Sequence, residues 1–206
     1  MHFLITAGPT REPLDPVRFI SNRSSGQMGY QVAGAALEAG HQVTLVSGPV
    51  SLEPPAGSKV LSVVTAEEMY EACLRVYGNV DVVVATAAVC DYRPVRISGH
   101  KIKKGAETLT LKMVRTQDTL AELGRRKTRQ ILVGFALEDR QPKTAARKKF
   151  REKKLDAIVL NSPAALSSSR NQVSVFYGGQ WQDWPEMTKQ ALARRLVRLV
   201  EVLARK

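Results

Sequence analysis

Asp81-Val82-Val83-Val84-Ala85-Thr86 is the stretch from which the fold can be read. Its interior is an unbroken run of small and β-branched apolar residues, with no polar position alternating in. A strand without a polar face is covered on both sides, as happens inside a parallel sheet flanked by helices. Working outward, His2 to Thr6, Gln42 to Ser47 and Val60 to Val64 read as further strands of the same kind. Between them lie helical patterns. Gly26 to Ala39 carries Met28, Val32, Ala35, Ala36 and Ala39 on one face and stops at Gly40. Thr65-Ala66-Glu67-Glu68 has the Thr-x-x-Glu spacing of a capping box and opens a helix that runs through Tyr77. Strand and helix alternating at this spacing predict an open, mostly parallel, Rossmann-like α/β sheet with helices on both faces.

The second half adds Thr108 to Val114 as an alternating strand, Asp118 to Lys127 as a helix, and Gln130 to Ala136 as another apolar strand. Lys143 to Leu155 reads as a basic helix and Asp156 to Leu160 as a strand. Val173 to Tyr177 and Gln180 to Trp184 flank Gly178-Gly179, a pair that favours a hairpin turn. Glu186 to Ala204 reads as a terminal helix. The smaller C-terminal region is therefore expected to contain a hairpin. Pro49 to Gly57 and Arg93 to Lys104 read as loops inside a single domain spanning 1–206, not as linkers.

Composition narrows the function classes. Hydrophobic residues make up 44% of the 206, enough for a buried core, and charged residues 24%. No apolar run approaches the ~18–20 residues of a membrane span. Met1-His2 leads straight into Phe3-Leu4-Ile5 without a basic n-region, so no secretory signal is expected. Cys73 and Cys90 are too few for a disulfide framework, and His2, His41 and His100 are too scattered for a metal-ligand spacing. A cytoplasmic protein with no membrane partner is expected. The formal charge of +12 allows a nucleic acid, an anionic membrane or a small polyanion as partner. A basic C-terminal stretch (Arg194, Arg195, Arg198, Arg205, Lys206) reads first as a solvated face. Aromatics are 6% and do not interleave with the cations, which speaks against a stacking platform for single strands.

Three segments could carry chemistry. The chain makes no glycine-rich turn after the first strand. It takes a polar detour of ~20 residues before Ser24-Ser25-Gly26-Gln27-Met28-Gly29 opens the helix, and long loops in compact domains are usually functional. Hydroxyls and free N–H groups there suit a phosphate, although Ser-Ser-Gly is also an ordinary cap. Ala87-Ala88-Val89-Cys90-Asp91-Tyr92-Arg93-Pro94 follows the buried strand, where an open α/β sheet places its ligands. Asp91 there is either an acceptor for a ligand or a turn former. Lys101-Ile102-Lys103-Lys104 puts three ammonium groups on one loop, and Lys149 and Lys153 share a helix face. Those two cations repel unless an anion or acid faces them, and Glu152 is not on that face.

The detour Thr6-Ala7-Gly8-Pro9-Thr10-Arg11-Glu12-Pro13-Leu14-Asp15-Pro16-Val17-Arg18-Phe19-Ile20-Ser21-Asn22, followed by Ser24-Ser25-Gly26-x-Met28-Gly29, closely resembles the phosphopantothenoylcysteine synthetases of coenzyme A biosynthesis. The resemblance continues through Val43 to Val50, Ala87-Ala88-Val89-x-Asp91-Tyr92-Arg93, Lys101-Ile102-Lys103-Lys104 and Val133-Gly134-Phe135-Ala136. It implies a ligase. The carboxylate of 4′-phosphopantothenate attacks the α-phosphate of a triphosphate, pyrophosphate leaves, and the amine of cysteine then takes the acyl group from the nucleotide. The Lys-Ile-Lys-Lys block resembles the bacterial type, which implies CTP as co-substrate with Mg²⁺. The resemblance also implies a homodimer. Bacterial members are often fused to a flavin-dependent decarboxylase, and this chain resembles a stand-alone synthetase whose decarboxylase is a separate protein.

Residue by residue, the resemblance implies that Gly8, Ser24, Gly26 and Gly29 cradle phosphates, Lys101 stabilises charge on the triphosphate, and Asp118, Phe135, Lys149 and Lys153 contact the nucleotide. Asn22, Ala87, Ala88 and Asp91 would hold phosphopantothenate, with Asn22 and Lys101 as the catalytic pair. Asn22 is expected to donate from its amide to the acyl carbonyl while cysteine attacks. The metal ligands are not implied. Two departures stand out. Bacterial members usually read Asn-Pro-Asp where this chain has Thr116-Gln117-Asp118, and Cys90 stands where a small Ala or Ser is usual. Two other function classes fit parts of the sequence. A nicotinamide-dependent reductase would share the sheet, but Gly-x-Gly-x-x-Gly is missing after the first strand, and so is a ribose-binding acid after the second. A non-enzymatic nucleic-acid binder would account for the charge and predicts steep salt dependence.

Overall fold

The computed structural model describes residues 1–105, 107–161 and 170–205; Lys206 of the basic C-terminal stretch lies outside them. One sheet of eight strands organises the molecule. Inside its parallel part lies β1 (His2–Ala7), and β1 alternates strictly. Phe3, Ile5 and Ala7 enter one core layer and Leu4 enters the other, and all four are fully buried. Two short strands follow, β2 (Arg11–Pro13) and β3 (Phe19–Ser21), then helix α1 (Gln27–Glu38), β4 (Gln42–Ser47), β5 (Lys59–Ser62), α2 (Ala66–Tyr77) and β6 (Val82–Ala85). The chain continues through β7 (Tyr92–Pro94), β8 (Met113–Arg115), α3 (Thr119–Arg125), β9 (Ile131–Leu137), α4 (Pro142–Glu152) and β10 (Ala157–Asn161). It ends with β11 (Arg170–Tyr177), β12 (Gln180–Thr188) and α5 (Lys189–Leu203).

The sheet order is β12-β11-β10-β9-β6-β1-β4-β5. The six strands from β10 to β5 run parallel, and β11 and β12 complete the sheet as an antiparallel edge. The hairpin therefore extends the main sheet. Gly178 and Gly179 turn it with φ of 56° and 84°, the pair of positive values that a type I′ turn requires. Helices α1 and α5 pack on one face, with Val32, Ala36, Leu196 and Val200 against Phe3, Ile5 and Val84. On the other face, Met69, Ala72 and Cys73 of α2 and Ala146 of α4 meet Leu4, Val83 and Leu132. The capping box forms as the spacing predicts: Thr65 Oγ1 accepts from the Glu68 N–H at 3.1 Å and Glu68 Oε2 from the Thr65 N–H at 3.4 Å. No helix among the described residues is long and apolar enough to cross a membrane.

Three expectations are corrected. Thr108 to Val114 does not form a strand of the main sheet. Only Met113–Arg115 pairs, with Tyr92–Pro94 in a separate two-stranded ribbon, because a three-residue partner offers no ladder for the rest. The terminal helix begins at Lys189 and not at Glu186. Arg170 and Asn171 pair with Thr188 and Met187, so the strand runs to Thr188, which then caps α5 by accepting from the Ala191 N–H at 3.1 Å. The polar detour is a small antiparallel ribbon, β2 against β3, that periodicity did not signal.

Candidate functional site

The strand order reverses between β1 and β6, so their carboxyl ends diverge and open the crevice where ligands of such sheets bind. The loops leaving these two strands are stitched together. Pro9 and Ala88 form a parallel bridge; the Ala88 N–H donates to Gly8 O at 2.9 Å and the Thr10 N–H to Ala88 O at 3.2 Å. Thr86 Oγ1 adds a bond to Thr6 O at 2.7 Å. Over this floor lie two hollows that share Ala87, Ala88, Phe135 and Leu137 and so form one trough.

The smaller hollow, about 180 Å³, lies at the N-terminus of α1 and is lined by Ser24, Gly26, Gly29, Lys189, Asn161 and Asn171 among others. Gly26 caps α1 at φ 76°, and the first turn carries no acidic residue. Gly29 sits against β1 so closely that a Cβ would lie 2.5 Å from both Ala7 Cβ and Thr86 Oγ1. The larger hollow, about 700 Å³, is lined by Asn22, Asp91, Thr116, Asp118, Lys149 and Lys153 among others. Its far wall is electrostatically organised. Asp118 caps α3, accepting from the Ala121 N–H at 3.0 Å, and its other oxygen meets Lys153 Nζ at 2.7 Å. Lys149 pairs with Glu138 at 2.5 Å. Acids from the neighbouring loops therefore face both cations that sequence spacing left uncompensated.

The expected residues sort clearly. Ser24, Gly26, Gly29, Ala87, Ala88 and Phe135 line the smaller hollow; Asn22, Asp91, Asp118, Lys149 and Lys153 line the larger, together with the shared positions. Gly8 and Lys101 line neither. Gly8, at φ 74°, lies beneath Gly26 with room for no side chain: a Cβ would meet Val50 Cγ1 at 2.9 Å and Gly48 O at 3.0 Å. Lys101 is exposed on the loop after β7. That loop is tied to the detour through its neighbour Ile102, whose N–H donates to Asp15 Oδ2 at 3.0 Å and whose carbonyl accepts from Arg18 at 2.8 Å. The Arg18 guanidinium also holds the Asp15 carboxyl well below the usual carboxylate range.

Asn22 lines the larger hollow. Its Nδ2 donates to Ala88 O at 3.1 Å and Val89 O at 3.0 Å, so the amide donor expected for a ligand carbonyl is already engaged. Its Oδ1 has no hydrogen bond among the described residues and is the atom left for a ligand, as an acceptor. Thr116, one of the two departures, binds the loop after β6: its N–H donates to Asp91 O at 3.0 Å and its Oγ1 to Cys90 O at 2.6 Å. Cys90 is buried beneath that loop, and burial pushes its thiol up, so it stands as a neutral packing residue.

Sequence reasoning missed Asn161, Asn171 and Lys189. Asn161 ends the parallel strand β10, and the rule that ligands gather at such ends could have found it. Asn171 and Lys189 come from the antiparallel edge and its following helix, where no spacing marks them. No group of three or more His, Cys, Asp or Glu among the described residues is placed to hold a metal ion.

The chain matches the family model "DNA/pantothenate metabolism flavoprotein C-terminal domain" over residues 1–203. It is 43% identical over 210 residues to the coenzyme A biosynthesis bifunctional protein CoaBC of Bacillus subtilis (strain 168), covering 99% of this chain and 52% of that protein. To the protein of the same name from Escherichia coli (strain K12) it is 44% identical over 191 residues, covering 89% and 46%. A crystal structure of the C-terminal domain of CoaBC superposes with a TM-score of 0.86 at 41% identity, over 98% of this chain and 94% of that one. The chain thus spans about half the length of the curated relatives it matches.

Proposed function

This chain belongs to the DNA/pantothenate metabolism flavoprotein C-terminal domain family, and from that premise we propose that it is a ligase joining 4′-phosphopantothenate to L-cysteine in coenzyme A biosynthesis, with CTP as the activating co-substrate. The observation that carries the reading is the trough over the β1–β6 reversal. It gathers every residue the resemblance assigned except Gly8 and Lys101, from elements as far apart as α1 and α4.

A carboxylate does not acylate an amine at neutral pH until its oxygen becomes a leaving group, and forming one from a triphosphate requires charge to be neutralised as pyrophosphate departs. The trough offers cations or unpaired N–H groups at both ends. At one end are Lys189 and the first turn of α1; at the other are Lys149 and Lys153, already half-neutralised by Glu138 and Asp118. A nucleotide lying across Phe135 reaches from one end to the other. Phosphopantothenate then lies beside Asn22, Ala87, Ala88 and Asp91, with its carboxylate toward the α-phosphate. In the second step the attacking amine of cysteine becomes cationic as the C–N bond forms. Asn22 Oδ1 accepts a hydrogen bond from that nitrogen and holds it in line with the acyl carbon. Lys101, exposed on the loop after β7, supplies positive charge to the triphosphate in this reading.

Mg²⁺ generally arrives on phosphates and takes only one or two carboxylates from the protein. Asp91 lines the larger hollow, and its carboxylate makes no hydrogen bond or ion pair among the described residues, so it fits that requirement. Bound there, the ion would neutralise phosphate charge.

Exposed apolar side chains on the detour and the loop after β7 (Val17, Phe19, Val95, Ile97, Leu109 and Leu111) support a homodimer formed through that face. A dimer in sedimentation at micromolar concentration is expected, and a monomer would overturn this. The activity is tested by pyrophosphate release with 4′-phosphopantothenate, cysteine and Mg²⁺ in parallel reactions containing CTP, ATP, UTP or GTP. Release that depends on phosphopantothenate, is fastest with CTP and yields 4′-phosphopantothenoylcysteine is expected. No release with any triphosphate refutes the ligase.

A further inference from the structure

The smaller hollow holds polar groups that the assigned residues do not account for. Among its described lining residues Lys189 is the one charged side chain. Its ammonium donates at 3.1 Å to Gln27 Oε1, a neutral partner, and burial pulls its pKa below the ordinary lysine value. Asn171, on β11, is 4% exposed, and among the described residues its buried Oδ1 has no hydrogen-bond partner; the same holds for the Oδ1 of Asn161. Buried polar atoms are nearly always paired, so unpaired ones lining a hollow point to something that enters it. Beside them the first turn of α1 carries Met28 and Gly29 after Gln27, and their N–H groups fall where a helix has no internal acceptor to offer. A cation without a counter-charge and a helix start without an acid form a set that an anion completes, and the ammonium drawn to that anion is a donor of the kind the Asn171 Oδ1 lacks.

We propose that Lys189 and Asn171, together with the first turn of α1, form a recognition site for a phosphate group of a bound substrate. The site reads phosphate through the antiparallel part of the chain, which no assigned residue uses. The inference rests on the ligase reading only for the identity of the molecule that carries the phosphate. A seated phosphate draws the Lys189 ammonium away from Gln27. The Asn171 carboxamide, being donor and acceptor at once, gives Nδ2–H to the phosphate and receives an N–H of the ammonium on Oδ1.

Calorimetric titration of the intact chain and of the Lys189→Met and Asn171→Asp variants with CTP, 4′-phosphopantothenate and pantothenate tests this. Asn171→Asp is nearly isosteric and puts a carboxylate beside the phosphate in place of the amide donor; urea midpoints of both variants check that each still folds. Loss of about tenfold or more in CTP affinity in both variants, with pantothenate unaffected, places the triphosphate in the site. The same loss on 4′-phosphopantothenate but not on pantothenate places the phosphomonoester there. Unchanged affinities, or an equal loss on pantothenate, overturn the proposal. Inorganic pyrophosphate serves as a probe that does not depend on catalysis. If the intact chain releases no pyrophosphate with any triphosphate yet binds this ion in a manner that Lys189→Met abolishes, the ligase reading fails and the site stands. No binding of the ion to the intact chain overturns the site.

Discussion

Replacing Gly29 and Gly34 separately by alanine should move stability in opposite directions, although both lie in α1. Inside a helix alanine is favoured over glycine by about 1 kcal/mol. At Gly34 nothing opposes that gain, since an added Cβ finds only Pro55 Cγ at 4.0 Å. Gly34→Ala is therefore expected to stabilise the protein by up to about 1 kcal/mol. At Gly29 the Cβ would lie 2.5 Å from Ala7 Cβ, 2.5 Å from Thr86 Oγ1 and 3.2 Å from Ala7 Cα. None of these can swing aside. Ala7 belongs to an interior strand of the sheet, and Thr86 Oγ1 is bonded to Thr6 O at 2.7 Å. The helix itself must lift, and overpacking of this kind costs about 1–3 kcal/mol. With so rigid a wall the upper half of that range applies. After the helical gain is subtracted, a net loss of about 1–2 kcal/mol remains, or a fall of about 2–8 °C in Tm for a chain of this size. Urea unfolding at constant m reads both variants. Gly29→Ala as stable as the parent, or both variants shifted the same way, would refute the claim that close approach of α1 to β1 demands glycine at 29.

Alkaline pH should weaken the fold through two buried groups. Burial pushes the Cys73 thiol up to about 12 from 9.0, and burial together with the Asp156 charge pushes Tyr77 up to about 12 from 10.0. In both, the folded state keeps a proton that the unfolded chain has lost. Their stabilising contribution is therefore whole below pH 9 and disappears as pH rises from there through 12. Urea midpoints should fall between pH 9 and 11, and less steeply in Cys73→Ala; a flat profile to pH 11 would count against the assignment. Asp15→Ala should free the loop that carries Lys101, because one Asp15 side chain binds the N–H groups of Val17, Arg18 and Ile102 and the Arg18 guanidinium. Tryptic cleavage after Lys101 or Lys103, measured well below Tm, should then be faster than in the parent; equal cleavage rates would show that the tether lies elsewhere.

The sheet was legible because its strands are buried on both faces and so announce themselves as apolar runs. The capping box at Thr65 and Glu68 was legible because its chemistry is local. What escaped notice depends on contacts distant in sequence. The β2–β3 ribbon consists of three-residue strands with Pro13 in one of them, too short for any period. Glu186 to Thr188 carry no local reason to be a strand until Arg170 and Asn171 lie beside them. The motif residues Ser24, Gly26, Ala87 and Asp91 line the trough, where backbone conformation and strand ends put them. That Glu138 faces Lys149 and Asp118 faces Lys153 was not legible, because these pairs meet only once β9, α3 and α4 have packed. Gly8 is expected as a ligand contact, and in the structure it also lies where an added Cβ would meet Val50 and the Gly48 backbone. Sequence spacing does not distinguish the two uses of a glycine.

The position of β1 also bears on synthesis. It is the first strand of the sheet, yet it sits in the interior, pairing with β4 on one side and β6 on the other. The last residue of β6 is Ala85. At about 5–20 residues per second, translation needs about 4–16 s after Ala7 before the second neighbour exists. During that interval Phe3, Leu4 and Ile5 have an unfilled edge, and a chain stopped before residue 85 can never close it. The ribosome's pace, and whatever shields that hexapeptide meanwhile, thus belongs to the folding of this protein as much as its core does.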